Sequence, residues 1–147
     1  MKSTVKEILE SKGENVYSIT TEETVYDALV KMSKKDVGAL VVMKSDKLAG
    51  IFSERDYARK VVLQGKSSKE SKVGEMMSTE ISVIQPSTSI EECMTLMTRK
   101  HVRHLPVMEG EQMIGIISIG DVVSRIINDQ ETTIKNLEDY IYGKPMN

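Results

Sequence analysis

The sequence predicts an α+β fold made of two copies of one unit, each reading strand, helix, strand, strand, helix, with a helix at the C-terminus. Three observations predict it. Gly50-Ile51-Phe52-Ser53-Glu54-Arg55-Asp56 returns as Gly115-Ile116-Ile117-Ser118-Ile119-Gly120-Asp121, an offset of 65 residues. The offset holds without a gap outside that segment: Ile19 meets Ile84, Met32 meets Met97, Val37 meets Val102, Leu40 meets Leu105 and Val42 meets Val107. A register kept over that length is the signature of a repeated structural unit. Within each copy, apolar residues switch between helical spacing and short continuous runs of strand length.

In the first copy, Ile19 ends a short strand, and Thr20-Thr21-Glu22-Glu23-Thr24 reads as a turn and helix start. Val25, Ala28, Leu29 and Met32 then recur at helical spacing. Val37 to Met43 is an apolar run too short for a buried helix and rich in valine, which favours a buried strand. Lys44-Ser45-Asp46-Lys47 turns the chain into a second strand, Leu48 to Phe52. Ser53 then caps a helix carrying Tyr57, Val61 and Val62 and closing near Gly65.

The second copy follows the same order. A strand at Ile81–Ile84 leads through Pro86-Ser87-Thr88-Ser89 into a helix with Ile90, Cys93, Met94 and Met97. Strands are expected at Val102–Met108 and Gln112–Ile117, joined by Glu109-Gly110-Glu111, and Ser118 caps a helix carrying Val122, Val123, Ile126 and Ile127. The boundaries implied are 1–65 for the first repeat, 66–128 for the second and 129–147 for a helical tail. Gly65 to Lys72 is a polar linker, and Val73 to Met77 echoes the Ile8 region. In the tail, Ile134, Leu137 and Ile141 continue a helical stripe, which either packs back on the parent domain or forms a dimer contact.

Composition narrows the function. Copies of this size bury too little surface to be stable alone, so each is expected to bury its apolar face against the other. The 20 basic and 22 acidic side chains nearly cancel, which gives no global attraction for nucleic acid. The N-terminus lacks a signal-peptide stretch, and no run approaches the roughly 18 apolar residues of a membrane helix. A soluble cytoplasmic protein is the expectation. Cys93 is the single cysteine, which excludes an intramolecular disulfide and a cysteine-cluster metal site; on its apolar stripe it reads as a core residue. Without a metal-ligand cluster or a nucleophile signature, no enzyme activity is expected.

The Gly-apolar-apolar-Ser-x-x-Asp segments at 50–56 and 115–121, with the strands Val37-Gly38-Ala39-Leu40-Val41-Val42 and Val102-Arg103-His104-Leu105-Pro106-Val107, resemble a tandem pair of CBS (cystathionine β-synthase) domains, a Bateman module. The resemblance covers nearly all of residues 1–128, and the Ser-Glu-Arg-Asp-Tyr segment and the tail are similar to stand-alone two-CBS proteins. It implies two βαββα repeats packed as a pseudo-two-fold pair, with adenine nucleotides (AMP, ADP, ATP or NAD(H)) in the clefts between them. It also implies homodimers and regulation rather than catalysis, with output through an unidentified partner protein. No required cofactor or metal follows from it.

In that family the Asp takes the ribose diol and the Ser the phosphate, which points to Asp56 and Asp121, Ser53 and Ser118. The chemistry is sound. Helix-start amides have no intrahelical partner and can donate to a phosphate, while a carboxylate one turn on can accept from two ribose hydroxyls. The adenine is expected near Ile19 and Thr20 for one site and near Ile84 and Gln85 for the other. Arg103 and His104 correspond to basic strand residues that contact phosphate in some members; Arg55 adds a cation at the first helix start. Ser-x-x-Asp is equally a helix cap that needs no ligand, so a ligand-independent interaction module is the alternative. The copies differ in charge, with Gly38-Ala39 against Arg103-His104 and Arg55 against Gly120, and the Asp121 seat is expected to hold a charged phosphate more tightly.

Overall fold

The computed structural model describes residues 3–13 and 16–143. Two compact units result: residues 16–82 form one, and 3–13 join 83–143 in the other. The repeat in the sequence and the unit of packing are therefore cut at different places.

In the first unit, β1 (Ser18–Thr20) runs parallel to β2 (Ala39–Lys44), which pairs antiparallel with β3 (Lys47–Ser53). Ser45 and Asp46 both take positive φ, 51° and 62°, the twist a two-residue hairpin needs. α2 (Val25–Lys35) starts where Thr24 Oγ1 accepts from the Asp27 amide and stops at Asp36, with φ 53°. Its inward stripe of Val25, Ala28 and Met32 meets Ile19, Leu40, Val42 and Phe52 in one core. The helix expected after Ser53 departs from a regular α-helix. α3 (Glu54–Asp56) passes into a π-helical turn, Tyr57–Val62, in which Leu63 N donates to Ala58 O, five residues back. Val61 lies in the core while Val62 and Leu63 face solvent.

In the second unit, α5 (Ile90–Lys100) is capped by Ser89 and ends at His101, φ 54°, the counterpart of Asp36. β4 (His104–Glu109) and β5 (Gln112–Ser118) pair in the register of β2 and β3, with a bulge at the equivalent place. The strand expected at Ile81–Ile84 shrinks to one parallel bridge, Ile84 to Val107. The reason is a pair of substitutions between the copies. Val41 N and Thr21 N extend the first ladder at its two ends by donating to Tyr17 O and Met43 O, whereas Pro106 and Pro86 at the equivalent positions have no N–H to donate.

The short segments ahead of each repeat are exchanged between them. α1 (Val5–Lys12) packs in the second unit, where Val5 N donates to Thr88 O and Lys6 N to Pro86 O, both at 2.9 Å. α4 (Val73–Met76) does the same in the first unit, through Val73 N to Glu23 O at 2.9 Å and Gly74 N to Thr21 O at 3.0 Å. These paired contacts relate residue 5 to 73 and 6 to 74, an offset of 68 rather than 65. Both leaders cross the sheet at the glycine of the repeated motif. A Cβ on Gly50 would lie 2.6 Å from Ser78 O, and one on Gly115 would lie 2.7 Å from Leu9 Cδ2.

α6 (Ile119–Ile141) runs 23 residues without a break at Asn128. The tail does not pack back on its parent: Ile134, Leu137 and Ile141 are all more than half exposed. The last residues expected in the tail, 144–147, lie outside the described residues.

Candidate functional site

Both Ser-x-x-Asp motifs sit where a sheet strand turns into a helix, and both are complete capping boxes. Ser53 Oγ accepts from Asp56 N at 3.2 Å, and Ser53 N donates to Asp56 Oδ2 at 3.0 Å. Ser118 Oγ accepts from Asp121 N at 3.2 Å, and Ser118 N donates to Asp121 Oδ2 at 2.8 Å. Each box satisfies two amides that the helix start would otherwise leave unpaired.

Beyond the cap the two carboxylates part ways. Asp56 is enclosed, its side chain 11% exposed. It accepts from the Ser53 hydroxyl at 3.0 Å, from the Ser78 hydroxyl at 2.8 Å and from Lys60 Nζ at 3.2 Å. Lys60 also reaches Met77 O, so the carboxylate ties α4 and the π-helical turn to the sheet. Glu54 adds an acidic side chain nearby, its Oε1 3.2 Å from where a Cβ on Gly38 would stand. Arg55 is exposed one residue later.

Asp121 is more open, its side chain 23% exposed. Lys12, the last residue of α1, places Nζ 2.7 Å from Asp121 Oδ2 and 3.0 Å from Ile116 O. Burial alone pushes the Asp121 carboxyl up, but the Lys12 ammonium and the Ser118 amide outweigh it and leave it lowered. His104 faces this pair from the first residue of β4, directly opposite Ser118. Burial, followed by the positive charge of Lys12, lowers its affinity for a proton; Asp121 opposes the shift without cancelling it. The imidazole is therefore neutral at pH 7 and can both donate and accept. Arg103, exposed, adds a second cation, and its carbonyl accepts from Ile119 N at 2.8 Å.

The second unit thus brings Ser118, Asp121 and His104 to one strand–helix junction, with Arg103 exposed in the residue before β4. The first brings together Ser53, Arg55 and Asp56. The apolar candidates are placed differently: Ile19 and Ile84 are core residues, 4% and 3% exposed. Thr20 is exposed, but it pairs with Met43 at the far end of β2 from Ser53, and its amide and hydroxyl both donate to Glu23. Gln85 N donates to Thr88 Oγ1. Sequence reasoning missed Lys12, Lys60 and Ser78. Lys60 was legible as a cation four residues after Asp56; Lys12 was not, because it is 109 residues from its partner. Cys93 is fully buried, and burial, then the Glu92 carboxylate, push its thiol up to about 11, as fits a core residue.

Among the described residues no group of three His, Cys, Asp or Glu side chains could hold a metal, and no helix is long and apolar enough to cross a membrane. The CBS domain family model matches residues 5–63 and 73–128. A mitochondrial CBS domain-containing protein of Arabidopsis thaliana, CBSX3, is 41% identical over 96% of this chain and 73% of its own length. Among solved structures, a CBS-domain protein of Burkholderia ambifaria is 50% identical, with a TM-score of 0.84 over 87% of this chain and 96% of that one. A hexameric CBS-CP12 protein from bloom-forming cyanobacteria is 30% identical, with a TM-score of 0.75 over 84% of this chain and 71% of that one. With two repeats of the expected topology, matching family models and relatives of this similarity, the chain belongs to the CBS-domain family as a tandem pair, a Bateman module.

Proposed function

We propose that this protein is a non-catalytic regulatory module whose second repeat binds an adenine nucleotide through Asp121 and Ser118 and signals its occupancy to a partner protein. CBS-domain proteins are generally regulatory modules for adenosine ligands, which sets the ligand class. The observation that carries the reading is the contrast between the two carboxylates. Asp56 spends its oxygens on Ser53, Ser78 and Lys60, whereas Asp121 keeps a partly open face beside Lys12, His104 and Arg103. A ribose diol donates to Asp121, and a phosphate meets the Ser118 hydroxyl and the basic side chains. AMP, ADP, ATP and NAD(H) share that part. Ser53, Arg55 and Asp56 form a second, weaker seat.

A cytoplasmic homodimer is the form we propose; the hexameric relative and the exposed Ile134, Leu137 and Ile141 support self-association. A nucleotide acts as a signal only to the extent that it binds two arrangements of that assembly unequally.

The second reading, a ligand-independent interaction module, has its own support in the two complete capping boxes. A melting-temperature screen separates the two. AMP, ATP or NADH should raise Tm in proportion to the logarithm of concentration for the wild type and not for Asp121→Ala. Absence of any shift in the wild type, together with a changed oligomer size on deletion of residues beyond Asn128, would establish the second reading instead.

A further inference from the structure

Lys12 stands at the second-repeat seat although the sequence puts it ahead of the first repeat. Its ammonium sits 2.7 Å from Asp121 Oδ2 and 3.0 Å from Ile116 O, two residues before Ser118. The same Oδ2 accepts from Ser118 N at 2.8 Å, so Lys12 lies beside the groups assigned to both ribose and phosphate. The side chain is one-third exposed, enough to swing while α1 stays anchored through Val5 and Lys6. The first repeat has no equivalent arrangement. Its carboxylate is held by Lys60 from the turn that follows it and by the Ser78 hydroxyl.

We infer that Lys12 determines the phosphate dependence of the Asp121 seat, exchanging its Asp121 partner for the 5′-phosphate of a bound nucleotide. This rests on the nucleotide reading above. A ribose that takes the Asp121 carboxylate must displace or share the Lys12 ion pair, which costs every ligand alike. A nucleoside offers the released ammonium nothing in return. A nucleotide offers a dianion, and a charge-assisted contact of that kind changes affinity by about tenfold or more. Lys12 thus penalises the nucleoside and favours the nucleotide, and both effects act on one measurable ratio.

Calorimetric titration of the full chain with adenosine, AMP and ADP gives that ratio. The wild type should prefer AMP over adenosine, and Lys12→Met should lower the preference by about tenfold, with adenosine binding unchanged or tighter. Lys12→Arg keeps the cation and should restore most of the preference, which a purely structural role for the side chain does not require. An AMP preference in Lys12→Met equal to the wild type's overturns the role of Lys12 and leaves the nucleotide reading standing. Failure of the wild type to bind any of the three, or ATP or NADH in the same titration, overturns the nucleotide reading, and the role of Lys12 with it.

Discussion

The two strand–helix junctions carry the same Ser and Asp in the same capping hydrogen bonds, and their surroundings give them different capacities. At Asp56 every partner is internal: a hydroxyl from the segment after α4, an ammonium one turn on and the cap itself. At Asp121 the extra partner is one flexible lysine, beside a neutral histidine and an exposed arginine. A cap shared by both copies is therefore compatible with two outcomes. One copy uses its carboxylate to hold the fold together; the other leaves it where a ligand can compete.

The leader crossings should show the largest difference. A methyl on Gly50 meets the Met77 sulfur and a backbone oxygen, Ser78 O, and the oxygen cannot retreat without moving the leader. Gly50→Ala is expected to cost about 3 kcal/mol. Gly115→Ala meets the tip of Leu9, which can rotate, and should cost about 1 kcal/mol. Urea denaturation of both variants checks this, and equal midpoints would show that the two crossings are equally rigid.

The carboxylates should sort by stability against ligand response. Asp56→Ala leaves Ser53 N, the Ser78 hydroxyl and Lys60 without their acceptor and should cost about 2 kcal/mol. Asp121→Ala loses a cap and a more exposed ion pair and should cost about 1 kcal/mol while abolishing the Tm shift with AMP. Reversed losses, with Asp121 the costlier, would contradict the division of labour drawn here.

The smallest effect concerns pH. The folded state lowers the pKa of His104, so the unfolded chain takes up its proton first as pH falls. The resulting stability is full above the ordinary value of 6.5 and is lost as pH drops below it. Alanine stands at the equivalent position of the first repeat, Ala39, so that copy has no such dependence from this site. His104→Ala should flatten the change in Tm between pH 7.5 and 5.5, measured against the wild type in one buffer series. An unchanged slope would place the dependence elsewhere.

Much of this was legible in the sequence because it depends on near neighbours. The hairpin of β2 and β3, its counterpart in β4 and β5, both capping boxes and the αL helix ends are set by residues within a few positions of one another. The shortened strand at Ile84 was legible in principle, since Pro86 and Pro106 are visible, but their effect depends on a ladder that only the sheet defines. The burial of Ile19 and Ile84 follows from which face of each short segment meets the core, a choice that a stretch as short as Ser18-Ile19-Thr20 does not specify.

What the sequence determined by itself is the repeat, the order of elements and the positions of the caps, because offset, periodicity and capping chemistry are local and additive. What only the tertiary structure decided is which leader serves which repeat, and hence what surrounds each carboxylate. The exchange of α1 and α4 brings Lys12 to Asp121 and Ser78 to Asp56 across separations no local pattern encodes. Packing against a sheet depends on shape and on the glycines that let a backbone approach, so the inequality of two nearly identical motifs emerges only once the chain has folded.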